Sequence, residues 1–322
     1  MSHLTREQRY TIASMLQNGY NQKEIALVIK KDKSVVSREI RRNADARSGV
    51  YRDDLAHRKY LKRQEYKAKT RTFTPEVEEY VRDRLRLKHS PEQIAGVAKK
   101  NGDKCVSHER IYQFIWQDKR KKGTLYLDLR NRGRRYKKRS VIYDKRGIIP
   151  NRTDISQRPP EVELRERFGD LEIDLIIGKN HKGAILTIND RATGFGKLRK
   201  LDGKDAQQLA TATIDCLMEW KPFLKTITSD NGKEFAAHEL VAKHLNIDFF
   251  FAKPYASWQR GSNENFNRLV RQYIPKKVDF DCIPTDYINF VEYQLNNRPR
   301  KRFKYESPMF MFNQLFFIFL FF

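Results

Sequence analysis

The run LEIDLIIG, residues 171–178, constrains this chain more than any other. Its apolar, partly β-branched character reads as a buried strand. Yet it carries acidic side chains, and a charged group inside such a strand is costly unless it is paired or bound to a cation. Alternation with period two puts Asp170, Glu172 and Asp174 on one face. Asp174 lies deepest in the run and is the preferred functional carboxylate, with Asp170 and Glu172 as its rivals. The downstream segments are equally ordered. After a GKNHKG turn, AILTIND (184–190) pairs back as a second strand and GFGKLRKL (194–201) makes a third. The pattern then alternates: a helix over about 204–221, a short strand TITSD (226–230), a helix over about 234–245 and a strand IDFFFA (247–252). A helix beginning near 261–263 and a last one over about 284–297 complete it. Three antiparallel strands followed by alternating helix and strand is the order of an RNase-H-like α/β core with a mixed five-stranded sheet.

Two further carboxylates stand in short, unusual strings. Asp230 lies in TSDNG and Glu264 in QRGSNEN, with 33 residues between them. Asp230 ends a strand just before Asn231-Gly232. That is ordinary turn chemistry, but the carboxyl ends of strands are also where α/β sheets bind ligands. Taken as helical, the segment after Glu264 buries Phe266, Leu269, Val270 and Tyr273 on one face. Glu264, Arg268 and Arg271 share another, so a metal ligand and a grip on the DNA backbone can sit side by side. A trio of carboxylates without a matching Cys/His cluster suits a hard cation, Mg²⁺ or Mn²⁺.

Charge points to the substrate. The net charge is +25, and it is lopsided: residues 1–150 hold 39 Lys and Arg against 18 Asp and Glu, and residues 151–322 hold 26 against 22. The first half reads as the part that binds a polyanion. It begins with short capped helices over about 5–17, 22–30 and from a Ser34 cap to about 43, with Thr5/Gln8 and Asn21/Glu24 as capping boxes. Ile25, Ala26, Ile29, Val36 and Ile40 face a core, and the third helix presents Ser37, Arg38, Arg41 and Arg42 outward, as a helix-turn-helix recognition helix does. The pattern recurs in SPEQIAGVAKK (90–100) and VSHERIYQFIW (106–116), where His108, Glu109, Arg110 and Gln113 stay outward. The run RNRGRRYKKR (130–139) holds seven basic side chains, among them Arg134, Arg135, Lys137 and Lys138, and reads as a solvated stretch awaiting phosphates.

The expected organisation is a helix-turn-helix domain (1–50), a basic helical linker (51–72), a second helix-turn-helix domain (73–120), a basic linker (121–160) and the catalytic core (161–322). Three scattered cysteines, Cys105, Cys216 and Cys282, indicate neither a zinc module nor a disulfide framework and fit a reducing cytosol. The terminal LFFIFLFF (315–322) is too short for a membrane span, which needs roughly 20 residues, and is expected to pack on the core or a partner.

At these residues the chain resembles the DDE transposases with a retroviral-integrase-type core, and among them the insertion-sequence-thirty family. The similarity is carried by TSDNG, by the block Pro254-Tyr255-Ala256-Ser257-Trp258-Gln259-Arg260-Gly261-Ser262-Asn263-Glu264-Asn265, by the 33-residue interval, by RQYIPK (271–276) and by LNNRPRKR (295–302). It departs in the first motif, where Leu171 and Ile173 replace the usual Trp and Gly. The resemblance implies Asp174, Asp230 and Glu264 as catalytic residues holding two Mg²⁺ (or Mn²⁺) ions, with Asp174 bridging them. It also implies double-stranded DNA as partner, both as terminal inverted repeats and as target. Arg260, Arg268 and Arg271 would contact that DNA, a homodimer or larger oligomer would join two ends, and the location would be a bacterial cytoplasm on the nucleoid, without membrane contact. Two other readings stay open: a non-catalytic helix-turn-helix regulator, and an RNase-H-like nuclease without strand transfer.

Overall fold

The computed structural model describes residues 3–66, 73–132, 149–254, 256–276 and 278–321. It separates into two compact units, 1–71 and 72–322.

The first unit is helical. Helix α1 (Arg6–Gln17) starts from a Thr5 cap with the reciprocal Gln8 bond, and α2 (Gln22–Val28) from the matching Asn21/Glu24 box. Helix α3 (Lys33–Asn43) is capped by Asp32, whose side chain accepts from Ser34 N, and not by Ser34 as the sequence suggests. An ionised acceptor at that position is the stronger cap, because it also meets the positive end of the helix dipole. Ile12, Ile25, Ala26, Ile29 and Val36 form the core with Tyr51 and Ala56. The stretch expected to be a basic helical linker is helical, as α4 (Asp53–Tyr66), and belongs to this unit. Lys59 donates to the carbonyls of Asn43 and Ala44, and Arg63 to the side chain of Asn43, so the basic residues of α4 close the C-terminal end of α3.

The second unit opens with α5 (Pro75–Arg86), α6 (Pro91–Asn101) and α7 (His108–Arg120), packed around Val77, Val81, Leu85, Ile94, Ile111 and Ile115. Ser90 and Gln93 form a capping box at α6, and Ser107 caps α7. Beyond them lies a six-stranded sheet in the order β1-β6-β5-β2-β3-β4. Its strands are β1 (Thr153–Asp154), β2 (Asp170–Ile177), β3 (Ala184–Asp190), β4 (Gly196–Leu201), β5 (Thr226–Ser229) and β6 (Asp248–Phe251). Strands β2, β3 and β4 are antiparallel neighbours, while β5 and β6 run parallel to β2. That is the RNase-H-like arrangement the element order predicts. The sixth strand is the addition: two residues of the expected basic linker pair with the edge of β6, and Ile149 and Ile155 are buried beside them.

A single-turn helix α8 (Glu161–Leu164) precedes β2. One face of the sheet carries α9 (Ala206–Leu217) and α10 (His238–Leu245) over Leu171, Ile173, Leu186 and Ile188. The other carries α11 (Gly261–Tyr273) and α12 (Thr285–Asn297) over Ile176, Ile185 and Leu198. Helix α11 approaches β4 closely: a Cβ on Gly196 would lie 2.2 Å from the Phe266 ring, so this strand position must be glycine. The chain does not end at α12. Helix α13 (Pro308–Phe321) follows, and Phe312 stacks with Phe195 and packs on Phe168 and Trp220. Among the described residues no helix is long and apolar enough to cross a membrane.

Candidate active site

The β2 face that meets α11 carries the three acids in a graded series. Asp170 is buried and held by Arg167 and the Thr226 hydroxyl. Glu172 is buried as well; it pairs with Arg191 and accepts from the backbone N–H of Asn263 at 2.8 Å. Both are therefore satisfied inside the protein. Asp174 is at the open end of the series, with about a quarter of its side chain exposed.

Strand pairing sets its neighbour. Asp170 lies opposite Thr226 and Glu172 opposite Thr228. Continuing that parallel register by two residues brings Asp230, just past the end of β5, alongside Asp174. Asp230 is shaped by its own turn, its Oδ1 accepting from Gly232 N at 3.0 Å, while Asn231 ties the loop to the carbonyl of Ala252. Arg260 sits between the two carboxylates. Its Nη1 is 3.6 Å from Asp174 Oδ2 and its Nη2 is 3.4 Å from Asp230 Oδ2, and it donates to the Ile173 carbonyl at 3.0 Å. Asp174 also accepts from Leu175 N at 2.8 Å and from the Asn267 amide at 2.9 Å. Burial pushes the Asp174 carboxyl up to about 6; Arg260 opposes this, and the negative charge of Asp230 adds to it.

Glu264 does not join them. It forms an ion pair with Arg268 at 2.9 Å, and among the described residues no three acidic, His or Cys side chains converge as a metal site. It does stand one helical turn before Asn267, whose amide touches Asp174, so the first turn of α11 faces the pair. The oxygen-only donors near Asp174 fit a hard cation: two carboxylates already share one positive group, and the buried Oδ1 of Asn267 has no partner.

Two of the expected DNA contacts point elsewhere. Arg260 is almost buried between the aspartates. Arg271 donates to the Ile177 carbonyl and lies over the Phe280 ring, because the carbonyl ending β2 and an aromatic face offer it partners inside. Arg268 remains exposed on Glu264. In the first unit Ser37, Arg38, Arg41 and Arg42 all face solvent, with Arg38 donating back to Ser34. On α7 His108 and Gln113 are exposed, and Arg110 stacks on Phe73. The basic residues Arg134, Arg135, Lys137 and Lys138 lie outside the described residues. One group at this site, Asn267, is not singled out by the sequence. Asn267 had a usable signal, its position three residues after Glu264.

Residues 1–43 match the model of a helix-turn-helix domain. Over 97 % of its length the chain is 53 % identical to the transposase for insertion sequence element IS4351 of Bacteroides fragilis, covering 96 % of that protein. It is also 30 % identical to the transposase InsI for insertion sequence element IS30C of Escherichia coli, across 96 % of this chain and 82 % of that one. The chain belongs to the IS30 family of transposases. Among solved structures, the catalytic core domain of BIV integrase overlaps 45 % of this transposase and 93 % of its own chain, at 19 % identity and a TM-score of 0.37. The strand order of the second unit, and not that superposition, carries the RNase-H-like assignment.

Proposed function

We propose that this transposase binds the terminal inverted repeats of its element, cuts DNA strands there and joins the freed 3′-hydroxyl ends to target DNA, with Asp174, Asp230 and Glu264 as the catalytic carboxylates. The observation that supports it best is the pairing of Asp174 with Asp230 around Arg260, at the carboxyl edge of adjacent parallel strands. Two carboxylates brought together by strand register, with one positive group between them, form a cation site.

Asp174 and Asp230 would hold Mg²⁺ or Mn²⁺, two ions in all, and Glu264 would complete the set after leaving Arg268. When bound, such ions supply positive charge to the attacking and leaving oxygens of an in-line phosphoryl displacement. The chain's own residues prepare for that. Asn267 and the Leu175 N–H orient Asp174 so that its carboxylate stays at the opening. Arg260 keeps the two negative groups from separating. Glu172 anchors the start of α11 and with it the placement of Glu264. The exposed α3 face, Ser37, Arg38, Arg41 and Arg42, would read the repeat, and α7 would add contacts through His108, Arg110 and Gln113. A homodimer or larger assembly on DNA would supply the two ends that must be joined.

The test is a strand-nicking assay in Mg²⁺ on a duplex carrying the repeat. Asp230→Asn and Glu264→Gln should each lose cleavage and keep repeat binding. Undiminished cleavage by either would remove that residue from the site. Loss of repeat binding together with cleavage would place it in the DNA contact instead.

A further inference from the structure

One motif remains without a role. The run LNNRPRKR (295–302) brings Arg298, Arg300 and Arg302 to a cleft of about 470 Å³, where they meet Arg130, Arg165 and Ser262. Among the described residues none of these five arginines has a carboxylate within 4 Å; the acid on the cleft wall, Glu92, is taken by Lys301 at 2.6 Å. Their partners are neutral. Arg298 is 3 % exposed and donates to the side chains of Gln93 at 3.1 Å and Gln272 at 2.8 Å. Arg300 donates to the Leu295 carbonyl at 2.9 Å, Arg302 to that of Ala192 at 3.3 Å and Arg130 to the Asn265 amide oxygen at 2.8 Å. Burial pushes the Arg298 guanidinium down to about 10, against Tyr273 and helped by Arg130, and burial followed by the neighbouring arginines pushes that of Arg300 down to about 9.

Guanidinium groups stay charged in proteins. Such a shift therefore expresses how poorly the charges are compensated, not that they are lost. The neutral acceptors explain how Arg298 joins α6 to α11. They do not explain why four further cations are gathered around it. Ser262 adds a second sign: its hydroxyl oxygen is buried and has no hydrogen-bond partner. Several planar donor forks and a free hydroxyl around one concavity match a tetrahedral anion with several acceptor oxygens. The cleft wall includes Gly261, Ser262 and Asn265, so it shares the first turn of α11 with Glu264.

We infer that this cleft seats one backbone phosphate of the DNA on which the transposase acts, fixing the strand beside the carboxylates. The inference rests on DNA being the substrate proposed above.

The experiment uses the full chain carrying Asp230→Asn as parent, so that bound DNA is not cut. Affinity for a repeat-bearing duplex is measured across a KCl series. Arg302→Gln, at an exposed position, and Arg300→Gln should each weaken binding several-fold and reduce the slope of log affinity against log salt by about 1. A scan of single neutral methylphosphonate linkages should then find one position that weakens the parent and leaves the two variants unaffected. A parental slope in both variants, or equal interference by every linkage in parent and variants, overturns the inference. Thermal melting with inorganic phosphate separates the alternative source: protection of the parent, abolished in Arg302→Gln while DNA binding is untouched, assigns the cleft to a free anion and also overturns it. If Arg300→Gln does not fold, Ser262→Ala takes its place, with weaker binding expected at an unchanged slope. A parent that binds no DNA at any salt rejects the proposed function itself, a different result from parental slopes in the variants.

Discussion

Glu172→Gln separates structure from catalysis in the acidic stripe of β2. The Glu172 side chain is fully buried, its partner Arg191 is 1 % exposed, and Glu172 also accepts from Asn263 N at 2.8 Å. Arg191 keeps two other partners, Glu163 at 2.8 Å and the Val162 carbonyl at 3.1 Å. The glutamine is isosteric but must turn an N–H₂ toward either Arg191 or the Asn263 N–H, both donors. Breaking a buried pair by removing one charge costs about 3–5 kcal/mol, and the extra bonds of Arg191 put the expectation near the low end. With an m-value of about 2–3 kcal/mol/M, the urea midpoint should fall by roughly 1–2 M. Tryptophan emission is the right probe, since Trp116, Trp220 and Trp258 all lie in the second unit. Replacing both partners, Glu172→Leu with Arg191→Met, should cost clearly less than the two single changes added together. With its amide oxygen kept on Asn263 N and its N–H₂ turned toward Arg191, the glutamine leaves the start of α11 anchored, so cleavage should fall only in proportion to the folded fraction. A variant with the parental midpoint and no cleavage would refute the reasoning and make Glu172, not Asp174, the upstream catalytic carboxylate.

Other consequences are testable in the same preparations. Burial, followed by the charges of Arg298, Arg84 and Arg300, drives His89 down from 6.5 to about 3. The unfolded chain therefore takes up this proton first as the pH falls. The stability of the second unit should drop below pH 6.5 by up to about 1.4 kcal/mol per pH unit, and His89→Leu should flatten that dependence between pH 6.5 and 5; parallel curves would contradict it. Phe312→Ala should cost about 2–3 kcal/mol, because the ring is half-buried against Phe168, Phe195 and Trp220; an unshifted urea midpoint would detach α13 from the core. Arg41→Ala, exposed on α3, should weaken repeat binding without moving either unfolding midpoint; repeat binding at full strength would exclude that contact.

How far the sequence could be read depends on how local each cause was. The strands and most helices of the core are legible because period-two and 3.6-residue patterns coincide with Ser, Asn and Thr caps. Helix α13 is not, because LFFIFLFF is apolar on every side and offers no periodicity to register. The role of α4 was hidden for the opposite reason: its Lys and Arg look like a solvated linker, and only the fold reveals that Lys59 and Arg63 satisfy the end of α3. Arg271 reads as a surface cation by spacing, and Arg260 as a DNA contact only through the resemblance, yet long side chains next to open carbonyls can turn inward, and both do.

The acidic stripe of β2 shows why the choice among Asp170, Glu172 and Asp174 could be made from depth in the run but not proved by it. Alternation makes the three equivalent. What distinguishes them is the partner each meets across the sheet and under α11. Asp170 meets a threonine and an arginine on its own side, and Glu172 a buried arginine and a backbone N–H. Asp174 meets another carboxylate, because strand register puts the end of β5 there. A like charge at that position raises the energy of the ionised pair, and Arg260 offsets only part of it. The two inner acids thus build the frame, and the uncompensated charge is left where α11 opens.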